Sequence, residues 1–303
     1  MKKYIGFGWS CGSFAVENAV KNLPISAEQF EMLGGVPFGL MSYGTIITTL
    51  TDPYEGIRKA AQILGILEAR KTFLEFDEYW DNLLSDWLTG QYHIVLGPVN
   101  MRKLFYIPFS SFYSNVDHFL AVEAQCGDTL YVSDSDGFIQ VPITKAQAAK
   151  AFNSGEIFND GVNFCYFLLR KEIPPVQDAE LIAKVRNVIQ ENMIEASKEK
   201  PFLNVRKEVD RVLNAKELNN MIFNINSLLY RKHLQKDFVS WYHSVGFSGL
   251  DGVVPLIDQQ IYLISRQKVS LSSYDPNTIR WELPQMQELE DQIADIFINH
   301  WQR

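Results

Sequence analysis

"DHFLAVEAQCGDTLYVSDSD", residues 117–136, reads as two strands folded about a turn, and the pairing of those strands decides how the chain is built around them. "HFLAVEAQ" (118–125) and "TLYVSD" (129–134) are rich in β-branched, aromatic and small apolar residues, and Gly127 and Asp128 lie between them. A two-residue Gly127-Asp128 turn sets His118 opposite Gly137 and turns Asp134 to the other face of the sheet. A three-residue loop, Gln125-Cys126-Gly127, pairs Ala124 with Asp128 and sets His118 directly opposite Asp134. Both turns are chemically sound, and of the two only the second brings an imidazole to a carboxylate.

Outward from this hairpin, "QYHIVLGPV" (91–99) and "FCYFLLR" (164–170) have the same strand-like composition. Helical spacing precedes them at 11–22, at 53–64, where Asp52 is the N-cap and Pro53 the first helical residue, and at 75–87. The glycine-rich "LGGVPFGLMSYG" (33–44) reads as a packed loop. Helices first and strands after them make an α+β pattern, not alternating βαβ units. "KEIPPVQD" (171–178) reads as a linker, and beyond it 178–199, 205–218, 219–243 and 283–301 read as amphipathic helices. The expected organisation is an α+β domain over 1–172 and a mainly helical region over 173–303.

A chain of 303 residues, 47% hydrophobic and 21% charged, can bury sizeable cores. Its formal charge of -8 argues against a nucleic-acid partner, since no global positive field gathers phosphates. No run approaches the roughly 18 apolar residues of a membrane span. The start, Tyr4 to Val16, is interrupted by glycines and serines and lacks a small-residue cleavage site, so a cytoplasmic protein is expected. Cys11, Cys126 and Cys165 stand far apart without a CxxC pair, and the five histidines form no HExxH, so neither a disulfide framework nor a metal is expected.

The chemistry-bearing stretch is "GFGWSCGSFAVENAV" (6–20), with Ser10, Cys11 and Ser13 at the start of a helix. Gly8 to Gly12 fits G-x-S-x-G, but that nucleophile elbow follows several strands of a parallel sheet, and only seven residues precede Gly8 here. Cys11 is better placed, because the positive end of the helix dipole favours a thiolate; a small buried hydrophobe is the competing reading. A cysteine nucleophile needs an imidazole to take its proton and a third group to hold that imidazole. His118 as base and Asp134 as orienter complete the set, with Asp136 able to replace Asp134 if the strand is bulged, since it has the same parity. Ser13 helps cap the helix, and Ser10 offers a hydroxyl near an acyl oxygen.

Cys11 with Asn18 seven residues on, "SAEQFEMLGGVPFG" (26–39), "GPVNMRKLFYIPF" (97–109) and "DHFLAVEA…LYVSDS" resemble the N-terminal domain of the butirosin biosynthesis protein H family. That family is similar to papain-fold and bacteriocin-processing cysteine peptidases, and the resemblance spans roughly residues 5–150. It implies a papain-like α+β fold in which the nucleophile helix packs on an antiparallel sheet. The implied activity is acyl transfer: the cysteine accepts an acyl group from a carrier-protein thioester and passes it to a small-molecule amine, forming an amide in an antibiotic or other natural-product pathway. The phosphopantetheine arm of an acyl or peptidyl carrier protein would present the donor, and no cofactor is bound. The family commonly has His-Cys where Ser10-Cys11 stands, and papain-type enzymes carry a glutamine where Ile5 stands. The Cys11 N–H is then one oxyanion donor, with the second unassigned. A peptidase or amidohydrolase with the same triad is the alternative.

Cys126, Cys165 and His93 read as structural, and His233, His243 and His300 as surface or packing residues. Arg206, Lys207, Arg211, Arg231, Lys232 and Lys236 form either a solvated helix face or a docking patch for an acidic carrier.

Overall fold

The computed structural model describes residues 10–43, 46–108, 116–155, 162–212, 215–273 and 276–301. In chain order the elements are α1 (Cys11–Ala19), α2 (Ala27–Leu33), β1 (Leu40–Tyr43), β2 (Ile46–Thr49), α3 (Pro53–Ile63), β3 (Leu67–Phe73), α4 (Phe76–Leu88) and β4 (Tyr92–Asn100). There follow a 3-10 turn (Met101–Lys103), β5 (Asp117–Cys126), β6 (Thr129–Asp134), β7 (Val141–Thr144), α5 (Lys145–Ala151) and β8 (Phe164–Arg170). The chain continues as α6 (Asp178–Ala196), α7 (Pro201–Val212), α8 (Ala215–Ser244), α9 (Val253–Ser272) and α10 (Pro276–Trp301). It is an α+β protein with a helical C-terminal half.

Two compact units make up the chain: Met1–Phe30 with Pro53–Val176, and Glu31–Asp52 with Gln177–Arg303. The second crossover falls within the Pro174-Pro175 linker region, as its composition suggests. The first is where the observed division departs from the contiguous 1–172 expectation, because residues 31–52 group with the C-terminal helices.

The first unit is built on an antiparallel sheet in the order β3-β8-β4-β5-β6-β7. Tyr79, Trp80 and Leu83 of α4 pack with Ile94 and Leu96 of β4, Leu120 and Val122 of β5 and Leu130 and Val132 of β6. Those positions alternate along each strand, which is how one sheet face is buried. α1 packs on β4, β5 and β6, and α3 on α1 and β3. A full capping box, in which the Thr144 hydroxyl accepts from the Gln147 N–H and the Gln147 side chain accepts from the Thr144 N–H, starts α5.

The second unit shows why residues 31–52 belong to it. β1 and β2 form a hairpin where a loop was expected from the glycine content. Gly39 has φ +81, and a Cβ there would lie 2.7 Å from the Asn192 carbonyl oxygen of α6. The Asn192 amide donates to the Gly35 carbonyl at 3.0 Å and to Thr51 Oγ1 at 2.7 Å, and the Gln235 amide of α8 donates to the Pro37 carbonyl at 2.6 Å. The glycines therefore permit close approach to helices that follow more than a hundred residues later in the chain. Leu40 joins a core with Phe202 and Val205 of α7, Ile225 and Leu228 of α8, Ile264 of α9 and Leu283 and Met286 of α10.

Candidate active site

Register places the site. The turn of the β5–β6 hairpin is the two-residue one, since Cys126 pairs with Thr129. Ala124 pairs with Tyr131, and Val122 with Val132, so Glu123 is an extra residue on β5. That bulge shifts the pairing by one, and Leu120 comes to lie opposite Asp134. The three-residue loop is not formed, and His118 is not directly opposite Asp134 as that loop required. His118 instead sits two residues from Leu120 on the same strand face, diagonal to Asp134, within reach of an imidazole. Neither turn alone predicts this pairing; the bulge restores the parity that the two-residue turn removes.

The His118 Nε2 lies 2.7 Å from Asp134 Oδ1, and both side chains are buried. The Tyr106 hydroxyl donates to Asp134 Oδ2 at 2.6 Å, and the Asp136 N–H donates to Oδ1 at 2.8 Å. Asp134 is thus the carboxylate that bonds the His118 ring, and Asp136 supplies it a backbone donor. β4 holds the entry of β5 in place: its pairing shifts between Leu96 and Val99, and Val99 pairs with His118. A Cβ on Gly97, whose φ is +135, would fall 2.7 Å from the His118 carbonyl oxygen. Only glycine allows that approach.

Cys11 is the first residue of α1 and is hydrogen-bonded to the His118 ring. Ser10 is the N-cap, is buried, and makes no side-chain cap bond; its carbonyl accepts the Phe14 N–H at 3.1 Å. The first N–H groups of α1 have no acceptor within the helix. Ser13 and Asn18 are buried along α1. Gly6 to Trp9, and so the glycine that opens the G-x-S-x-G match, lie outside the described residues.

The electrostatics differ from the expectation of an acidified thiol. Burial pushes the Cys11 thiol up, and the hydrogen bond and charge of His118 pull it down less strongly; Asp117 and Asp134 also push it up. Burial pushes His118 down, but Asp134 and then Cys11 outweigh it, so the ring is held well above its ordinary 6.5. Burial pushes Asp134 up, yet His118, Tyr106 and the Asp136 N–H together bring it below its ordinary 3.8. Asp136 is raised, chiefly by burial, with Asp134 adding to it against His118. Cys11 and His118 therefore each hold a proton more tightly than in isolation, and the two titrate as one set.

Ligand atoms of His118, Asp134 and Asp136 lie within 4.8 Å of one another, close enough to surround a cation. Both Asp134 oxygens already accept hydrogen bonds, from His118 and the Asp136 N–H and from Tyr106. The arrangement suits a proton relay better than a coordination shell, in which those lone pairs would point at a metal.

The remaining sequence expectations divide. Cys126 is exposed at the hairpin turn and Cys165 is buried in β8, its sulfur 3.3 Å from the Tyr54 hydroxyl. His93 lies within β4, His233 is exposed, His243 lies 3.7 Å from Asp251, and His300 Nε2 is 2.9 Å from the Tyr242 hydroxyl. Lys232 does not belong to a docking patch: it is fully buried and bonded to Glu290 and Gln235. Arg231 is mostly covered beside Glu31, Lys236 is paired with Asp258, and Arg206 and Lys207 are exposed. The Arg211 side chain lies outside the described residues. Sequence reading missed Tyr106, whose only signal is a tyrosine in the run that precedes the His118 strand.

The structure thus defines an α+β protein in which a helix-terminal cysteine meets a strand-borne histidine and aspartate. No protein-family model matches the chain. It is similar to the uncharacterized protein YobF of Bacillus subtilis (strain 168), with 28% identity over 187 residues, covering 60% of this chain and 60% of that protein.

Proposed function

We propose that this protein is a cysteine-dependent acyltransferase that forms an amide through an acyl-Cys11 intermediate. The observation that carries the reading is the continuous chain of contacts from the Cys11 sulfur through the His118 ring to Asp134. In the form of the pair that has lost one proton, the Cys11 thiolate beside the His118 imidazolium attacks the carbonyl carbon of a thioester. The tetrahedral adduct collapses by breaking the donor C–S bond, and His118 returns its proton to the departing thiolate. An amine then attacks the acyl-Cys11 carbon, gives its proton to His118, and displaces the Cys11 sulfur. The Cys11 N–H at the start of α1 supports the oxyanion in both steps.

A carrier-protein thioester as donor, a small-molecule amine as acceptor, a papain-like fold, a cytoplasmic location and a natural-product pathway follow from the motif resemblance and are proposed with it. Among the described residues no helix is long and apolar enough to cross a membrane. Among the described side chains of the expected patch, Arg206 and Lys207 are exposed to meet an acidic carrier.

The test uses an acyl N-acetylcysteamine thioester, with and without an added amine. An acyl adduct on Cys11 by peptide mass mapping, an amide product with amine present, and loss of both in Cys11→Ala are expected. Free acid as the product regardless of amine would replace the transferase by a hydrolase. Absence of any Cys11 adduct would end both.

A further inference from the structure

We infer that Tyr106 is a positioning residue of this site, acting through Asp134 to set the pH at which the Cys11–His118 pair becomes reactive; this rests on the Cys11–His118–Asp134 reading. Its hydroxyl donates to Asp134 Oδ2 at 2.6 Å, on the oxygen that His118 does not use. The ring is held by edge-on contacts with Phe105, centroids 5.5 Å apart, and Phe138, centroids 5.1 Å apart. Phe138 lies just past Asp134, and its carbonyl accepts the Asp134 N–H at 2.8 Å. Tyr106 thus reaches Asp134 through its hydroxyl and packs its ring on the residue whose carbonyl holds the Asp134 N–H.

A buried carboxylate with few donors is a strong acceptor, and each donor it gains disperses its charge. Among the described residues Asp134 has three: the His118 ring, the Asp136 N–H and the Tyr106 hydroxyl. The hydroxyl competes with the imidazolium for the same anion, so it weakens the hold of Asp134 on the His118 proton. Without it that proton is held more tightly, the imidazolium persists beside the sulfur, and the thiolate forms at lower pH. The groups facing His118 are Cys11 from α1, Asp134 from β6, and Asp136 beyond it, while Asp117 precedes it on β5 and acts on the sulfur. Tyr106 is the side chain that donates to the Asp134 oxygen His118 does not use.

The experiment is the rate of iodoacetamide alkylation of Cys11 against pH, read by peptide mapping so that the exposed Cys126 is counted separately. Tyr106→Phe is expected to move the midpoint toward acid, by up to about one pH unit, the worth of one hydrogen bond to a charged group. Site-specific 3-fluorotyrosine at 106, a stronger donor with the same shape, is expected to move it alkaline. A midpoint unchanged in both, or shifted the same way in both, overturns the inference. His118→Asn serves as the control for the underlying reading: if it leaves the wild-type profile intact, the Cys11–His118 pair itself is refuted, whereas a profile altered by His118→Asn but untouched at Tyr106 refutes Tyr106 alone.

Discussion

A buried imidazole shared between a thiol and a carboxylate titrates as part of a set, and the directions at this site give its pH dependence. His118 is held above its ordinary 6.5, so the charged ring stabilises the folded chain fully below that value. The contribution is lost as pH rises through the higher folded value. Asp134, held below 3.8, contributes above that value and loses its contribution as pH falls through the lower one. His118→Asn should therefore flatten the decline of stability above neutrality, measured as urea midpoints between pH 6 and 9. If the decline is as steep in the variant, His118 does not gain its proton affinity on folding. The same replacement removes the two influences that pull the thiol down, so Cys11 alkylation at pH 7 should slow about tenfold. Cys11 and His118 were legible from their residue types and setting. The sign of the thiol shift was not, because it depends on how much protein surrounds the sulfur, which no local pattern records.

Elements decide whether those residues meet. β6 and β8 occupy the runs read from composition, 129–134 and 164–170, because bursts of β-branched and aromatic residues bounded by Gly, Asp or charge are a local signal. Glu123 is a different matter. Nothing in "AVEAQ" announces a bulge, yet that one residue puts His118 and Asp134 on a common face. Deleting Glu123 should leave a hairpin with the same turn and turn His118 to the face opposite Asp134. The expected result is a folded protein by circular dichroism whose Cys11 alkylation matches that of His118→Asn. Wild-type alkylation in the deletion variant would show that the bulge does not carry the pairing. β3, α5 and the β1–β2 hairpin were also hidden: β3 has Arg70 and Lys71 in its middle, and β1 lies in the glycine-rich run 33–44 that looks like a loop.

The helical half of the molecule turns on a buried polar cluster. Lys232 bonds Glu290 and Gln235, the Gln260 amide donates to Glu290 at 2.8 Å, and burial pushes Lys232 down while Glu290 opposes that shift. Removing one charge leaves the other buried without its partner, so Lys232→Met should cost about 3–5 kcal/mol in urea denaturation. The double variant Lys232→Met with Glu290→Met should recover most of that loss. A double variant as unstable as the single one would mean that the cluster is held by its packing and not by its charges. From the amino-acid order came the class of the fold, its strand-rich and helix-rich halves, the linker and the types of residue able to do acyl chemistry, since each follows from short-range periodicity and side-chain chemistry. Tertiary structure alone decided the grouping of 31–52 with helices far along the chain, the burial of Lys232, the bulge that aligns His118 with Asp134, and the Tyr106 bond. Each of these is a contact between distant segments, and its free energy exists only once the intervening chain has been packed.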